Sequence, residues 1–170
     1  LSACFMDSWT TLELPAVGST IRYEYGLFKQ IIKDGTQIET PDWWLSEDNI
    51  WEVKRPYDKI DIKFGGNLES VWINGKLKIR YHNARTVRAV PYDFPISGYN
   101  SNRANYIRLW EAESPERLDM EKFNKGKHVD SIAKKENDEF ISKILYPEDN
   151  NPEGKLLRLE QEYFLSSATV

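Results

Sequence analysis

Carboxylates are the side chains in this sequence with the most scope for chemistry. Asp93, Glu111 and Glu113 could in principle supply a pair, one acid and one base, for cleaving a glycosidic bond. Their spacing singles out no such pair. His82 and His128 have no cysteine or carboxylate at metal-ligand spacing, and both read as surface residues. Cys4 falls on the apolar side of a helical pattern, so burial is expected rather than nucleophilic duty. No Gly-x-Ser-x-Gly, Walker loop or Gly-x-Gly-x-x-Gly occurs. The densest polar stretch is Leu145–Gly154, LYPEDNNPEG, which crowds carboxylates, amides and two prolines into ten residues. It is either a stop between two helices or a surface that touches a substrate.

The flanking segments decide how such a loop is held. On one side, Lys127–Leu145 carries Val129, Ile132, Ala133, Phe140, Ile141, Ile144 and Leu145 at helical spacing. On the other, Leu156, Leu159 and Tyr163, with Leu157, Phe164 and Ala168, repeat the pattern. Asn151 is placed to cap the second helix, with Pro152 in its first turn. Upstream, Leu1, Cys4, Phe5, Trp9 and Leu12 share one helical face, and Pro15 ends that helix. The chain opens inside this pattern with neither N-cap nor initiator methionine, and is expected to be an excerpt of something larger.

Between the helices the signals are those of strands. Ile21, Tyr23 and Tyr25 alternate with Arg22 and Glu24, which are expected to pair on the opposite face. Asp34-Gly35 marks a turn between two strand-like runs. Residues 40–58 are irregular and rich in tryptophan. Ile60–Phe64 alternates, Gly65-Gly66 turns, and Asn74-Gly75 before Leu77, Ile79 and Tyr81 is a strong hairpin signal. Thr86–Pro91 and Tyr106–Trp110 read as further strands, with Pro91, Pro95 and Gly98 punctuating a loop between them. The order is helix, sheet, then two helices, without a domain linker or internal repeat.

At 170 residues, 40% apolar and 29% charged, the chain can bury a sizeable core in one domain. No apolar run approaches the ~20 residues that span a bilayer. A single cysteine excludes a disulfide framework and fits a reducing, cytoplasmic setting. A net charge of -4 argues against nucleic-acid partners. The aromatic content of 13%, with Trp43, Trp44 and Trp51 in one short stretch, suits either sugar stacking or a packed interface.

One segment, Thr20–Phe28 (TIRYEYGLF), resembles the GIRYEYGIF segment of the α-glucan phosphorylases, the glycogen, starch and maltodextrin phosphorylase family. The similarity continues in order through Ala3–Ser8, Asp42–Leu45, Trp51-Glu52, Arg55-Pro56, Ala89–Asp93 and Ile107–Trp110. It runs on through Phe123-Asn124 with Gly126, then Ile144–Pro147, Asp149, Gly154, Leu157–Leu159 and Gln161–Phe164. It spans the chain but only a small part of the family's length, all of it N-terminal.

The resemblance implies a mixed α/β fragment, residues 1–170, of the N-terminal Rossmann-like domain of a GT-B fold, with an antiparallel β-rich block and long helices near its C-terminus. It implies a dimeric, cytoplasmic glycosyltransferase of glycogen degradation, in a family with allosteric members. The reaction would be phosphorolysis of terminal α-1,4-glucosyl units of a glucan to glucose 1-phosphate, with retained configuration. The cofactor would be pyridoxal 5'-phosphate, on a lysine of the C-terminal domain. Neither that lysine nor the family's glycine-rich loop, which would end just before Leu1, is expected here, and the fragment alone is expected to be inactive.

Lys127–Leu145 would correspond to the family's tower helix, which packs on its twin across the dimer. Tyr146–Glu153 would be the gate beside the catalytic site. On that template Asp149 is the gate aspartate, Asn150 bonds the glucosyl ring, Arg158 lines the same pocket, and Arg55 is an interface arginine. Pro152 departs from the bulky residues common in the gate, and Ser19 stands where the family usually has glycine. The Trp-rich segment is expected to pack rather than bind sugar. The competing reading of the residues is a non-catalytic glucan-binding module.

Overall fold

The computed structural model describes every residue except Asp48 and Tyr146, so the loop assigned to 146–153 begins on a residue outside the described set. In chain order the elements are α1 (Ser2–Thr11), β1 (Val17–Ile21), β2 (Lys29–Lys33), β3 (Thr36–Thr40), β4 (Val53–Lys54), β5 (Ile60–Phe64), β6 (Asn67–Ile73) and β7 (Lys76–His82). There follow β8 (Arg85–Ser97), β9 (Ala104–Glu113), α2 (Met120–Asn124), α3 (His128–Glu139) and α4 (Pro152–Thr169). Tight 3-10 turns cover Trp44–Ser46 and Phe140–Ser142. The class is mixed α/β.

The central sheet has the order β1-β9-β8-β4, with β5 also paired to β8. Only β1 and β9 run parallel, Ile21 lying beside Trp110. Because side chains alternate between faces, the register Trp110↔Pro91 and Ala112↔Ala89 puts those residues on one side. Phe164 and Ala168 of α4 close that side, with Ile21, Ile62, Phe64, Val87 and Ile141. Ser19 ties the layers together: its hydroxyl accepts from Trp110 Nε1 at 3.2 Å and meets Thr169 Oγ1 at 2.8 Å. Gly18, pointing the other way, approaches Met6 of α1. Thus α1 and α4 cover opposite faces of β1.

The two hairpins match their turn signals. Asp34 and Gly35, and likewise Asn74 and Gly75, all take positive φ, as a two-residue turn between twisted strands requires.

Elsewhere the structure corrects the sequence. β8 does not stop at Pro91 but continues through Pro95 to Ser97. The Pro91 carbonyl accepts from Arg55 N at 2.8 Å, so its donor-less nitrogen points to the same side, away from β9. On that side β5 pairing has ended at Ala89 and β4 pairing begins at Tyr92, and no ladder bond is lost. Arg22 does not pair with Glu24, because the strand ends at Ile21. Its guanidinium binds Glu52 and Glu111, both at 2.8 Å, and Glu24 takes Lys143. Cys4 is exposed, since α1 buries Met6 and Thr10 and turns Phe5 and Trp9 outward.

The helical stripes flanking the loop are rotated from their expected positions. α3 buries Ser131 and Asp138 while Val129, Ile132 and Phe140 are exposed; Ile141, in the turn after it, is fully buried. In α4, Phe164 and Ala168 are buried as expected, but Gly154 and Gln161 complete that face, and Leu156, Leu159 and Tyr163 look outward. Trp43, Trp44 and Trp51 are each partly exposed, while Trp43 meets the Tyr25 ring at 6.4 Å and Trp44 Nε1 donates to the Tyr23 carbonyl at 2.9 Å.

Candidate functional site

The loop before α4 is built on its helix cap. Asn151 is extended, and its Oδ1 accepts from Gly154 N at 2.7 Å, with Pro152 in the first turn. That satisfies one orphan donor of the helix, and the proline sits where no N–H is needed. Gly154 is buried, and a Cβ there would stand 1.8 Å from the Glu148 carbonyl oxygen. The chain of the loop therefore lies directly against the first turn.

The base of the loop is held from both sides. Gln161 Nε2 donates to the carbonyls of Ile141 at 3.0 Å and Ile144 at 2.8 Å. Tyr25 N donates to Lys143 O at 3.0 Å, and Tyr25 bridges Ile144. The tip is held differently. Asn150 Nδ2 donates to Glu148 Oε1 at 2.7 Å, and Asp149 pairs with Arg158. Side chains in that ion pair are about half exposed, 47% and 52%, so its contribution is within about 1 kcal/mol. A firm base and a weakly tied polar tip can present amide and carboxylate groups to a ligand and rearrange at small cost.

The structure pairs Asp149 with Arg158, turns Asn150 to Glu148, and places Arg55 in a separate group. Arg55 Nε donates to Asp93 Oδ2 at 3.0 Å, and Arg108 grips both oxygens of the same carboxylate at 2.8 and 3.0 Å. Asp58 stands 3.5 Å from Arg108. These residues line an open groove of about 690 Å³ with Tyr106 and Pro95. Asp93 is only 6% exposed. Burial works against its charge, but the bonds from Arg108 and Arg55 win, and its pKa falls below the ordinary carboxylate value. Arg108 and Asp58 carried no role in the sequence reading. Asp93↔Arg108 facing across β8 and β9 becomes visible only once the register is known.

The carboxylates considered for acid-base work do not converge. Glu111 is held by Arg22 and Glu113 by Lys54 at 2.7 Å, and strand alternation puts Glu111 and Glu113 on the face opposite Arg108 and its partner Asp93. Each of the three is held in an ion pair with a cation. Among the described residues, no group of three or more His, Cys, Asp or Glu could hold a metal ion. No helix among the described residues is long and apolar enough to cross a membrane.

The fold is of the mixed α/β class. Comparison with known proteins narrows it. Residues 1–170 match the phosphorylase family, described as carbohydrate phosphorylase, and the chain belongs to that family. Similar relatives include the glycogen phosphorylase of Synechocystis and the liver form of glycogen phosphorylase of Homo sapiens, each 44% identical over all of this chain and 20% of the relative. The glycogen phosphorylase of Bacillus subtilis is 42% identical over the same shares. The chain spans about a fifth of the length of these relatives.

Proposed function

We propose that residues 1–170 form part of the N-terminal Rossmann-like domain of a GT-B α-glucan phosphorylase. The whole protein would transfer terminal α-1,4-glucosyl units of glycogen or maltodextrin to phosphate, releasing glucose 1-phosphate with retention. The observation that carries this reading is the family match over every residue of the chain. Supporting it, β1 stands at the edge of the sheet with one neighbour, the parallel β9, and parallel strands belong to sheets buried and extended on both sides.

Within the loop, Asn150 would bond a glucosyl hydroxyl, since its amide can both donate and accept. Asp149 would control access to the phosphate position, and Arg158 would line the same pocket. In this structure Asp149 and Arg158 neutralise each other. A phosphate dianion would meet an uncompensated guanidinium only after Asp149 moves away, because a bare carboxylate beside it repels it.

The cofactor implied by this reading, pyridoxal 5'-phosphate, does not fit Lys54, Lys135 or Lys143, each of which is ion-paired to a glutamate. A Schiff-base lysine needs its pKa lowered, and the lysines perturbed here go the other way. At Lys54 burial opposes the charge, but bonds to Glu113 and Tyr92 push it up to about 12. At Lys143 burial is likewise outweighed, by Glu24, and Lys135 is raised by Glu139. The cofactor would be held by the part of the protein outside residues 1–170.

The protein would be a cytoplasmic homodimer. The outward stripe of Val129, Ile132 and Phe140 on and just beyond α3 offers a self-pairing surface, and Arg55 would stand near the interface.

The test is direct. Full-length protein with glucan and phosphate should release glucose 1-phosphate, and residues 1–170 alone with added cofactor should release none. Product from the isolated fragment would overturn the division of labour. A reading frame that stops soon after Val170 would favour the glucan-binding module instead.

A further inference from the structure

We propose that Arg85 is a positioning residue that fixes both helices flanking the 147–151 loop; the inference rests on reading that loop as part of the glucosyl site. Arg85 opens β8, and its guanidinium lies over the Phe64 ring, 5.1 Å from the centroid. One arm, NH2, pairs with Glu160 of α4. The other, NH1, donates to the Asn137 carbonyl at 3.4 Å and stands 3.8 Å from Asp138 Oδ1 on α3. One side chain on the sheet thus holds the helix before the loop and the helix after it.

The Asp138 carboxylate shows why the arrangement needs a cation. It is fully buried, Oδ2 takes the Ser114 hydroxyl at 2.8 Å, and Oδ1 has no hydrogen-bond partner. A buried carboxylate with one oxygen unbonded is costly unless a charge stands near it, and Arg85 supplies that charge. The planar guanidinium fork can serve two partners in different directions, which a lysine ammonium on a single stem does less well.

The placement matters because Asp138 lies two residues before the 140–142 turn that leads into the loop. Glu160 lies about two and a half turns of α4 beyond the cap residue Asn151. Gln161 holds the same junction through the Ile141 and Ile144 carbonyls, so losing Arg85 should not release α4 entirely. It should let α4 and the end of α3 shift relative to each other, and the loop, whose Glu148 carbonyl rests on Gly154, must follow. The loop tip has only exposed pairs with which to resist.

The test uses full-length protein and hydrogen exchange at residues 147–153, with residues 67–82 of the β6–β7 hairpin as the internal reference. Arg85→Met keeps the stem over Phe64 and removes the fork. It should speed exchange at 147–153 by about tenfold or more while the hairpin changes by less than about twofold. Glu160→Gln, which cuts only the α4 arm, should give a smaller rise of about threefold, and Arg85→Lys should fall between Arg85→Met and wild type. In turnover, Arg85→Met should raise KM for glucan more than it lowers kcat. Unchanged exchange at 147–153, or an equal rise in loop and hairpin, overturns the proposal. Should Arg85→Met not fold, Glu160→Gln decides by the same comparison. If wild-type protein makes no glucose 1-phosphate, the phosphorolysis reading falls, while the exchange result still decides whether Arg85 clamps the loop.

Discussion

Gly154 and Glu148 are in such close apposition that no side chain fits between them: a Cβ on Gly154 would lie 1.8 Å from the Glu148 carbonyl oxygen and 2.9 Å from its carbon. Gly154 is in the first turn of α4, where helix propensity alone would favour alanine by up to about 1 kcal/mol. Overpacking against backbone costs about 1–3 kcal/mol and decides the sign. Gly154→Ala should therefore destabilise the protein, read from urea unfolding, and should lower kcat/KM, because the loop rather than the helix must move.

The adjacent asparagines separate stability from turnover. Asn151 caps α4 through Gly154 N, and Asn151→Ala should cost about 1 kcal/mol of stability with kinetics close to wild type. Asn150 is exposed at the tip, where its side-chain amide donates to Glu148. Asn150→Ala should leave stability nearly unchanged and lower kcat/KM by about two- to tenfold, the worth of one neutral hydrogen bond. If both variants kept wild-type kinetics, the loop would be a helix stop and nothing more.

Asp149 differs in kind, since it carries charge. Its exposed pair with Arg158 holds little stability, so Asp149→Asn should shift the unfolding midpoint only slightly. A carboxylate about 4 Å from an anion in water costs about 1 kcal/mol, so removing it should lower the phosphate KM by about two- to fivefold. Initial-rate titrations of phosphate and of glucan should show the first changing and the second staying within about twofold.

What the sequence made legible was local. Asn74-Gly75 and Asp34-Gly35 specify two-residue turns through positive φ, and Asn151-Pro152 specifies a helix start; these need no knowledge of distant partners. The course of β8 through Pro91 was hidden, because a proline is tolerated there only by virtue of the gap between β5 and β4. Helix rotation was hidden for a related reason. The stripe with the most apolar residues does not face inward; α3 turns Ser131 and Asp138 inward instead. A buried aspartate is affordable only beside Ser114 and Arg85, which lie far away in sequence. Arg22 met Glu52 and Glu111 rather than its neighbour Glu24 for the same reason. The tip residues Asp149, Asn150 and Arg158 are grouped by their resemblance to a known segment, whereas the pairing of Asp149 with Arg158 is visible only in the folded loop.

The Asp93 cluster gives a pH dependence whose sign can be worked out. In the unfolded chain Asp93 titrates near the ordinary aspartate value of 3.8, and in the folded protein burial opposes its charge but the bonds from Arg108 and Arg55 outweigh it and hold the pKa lower. The folded state therefore binds fewer protons than the unfolded state as pH falls through this range. Its contribution to stability is fully present above about pH 4 and is lost as pH falls through the folded value. Urea midpoints should accordingly fall on acidification below about pH 4 more steeply for wild type than for Asp93→Asn, which has no charge to lose. At pH 7 the variant should be less stable by about 1–3 kcal/mol, because Arg108 and Arg55 lose a charged acceptor that neutral amide oxygen replaces only in part. Asp61, lowered by Arg88 on the more exposed side of the sheet, titrates in the same direction, so Asp61→Asn is the necessary control. Were the acid limbs of wild type and Asp93→Asn parallel, the Asp93 group would be a surface pairing without thermodynamic weight, and the groove it lines with Arg55 would have to be held open by β4 and β8 alone.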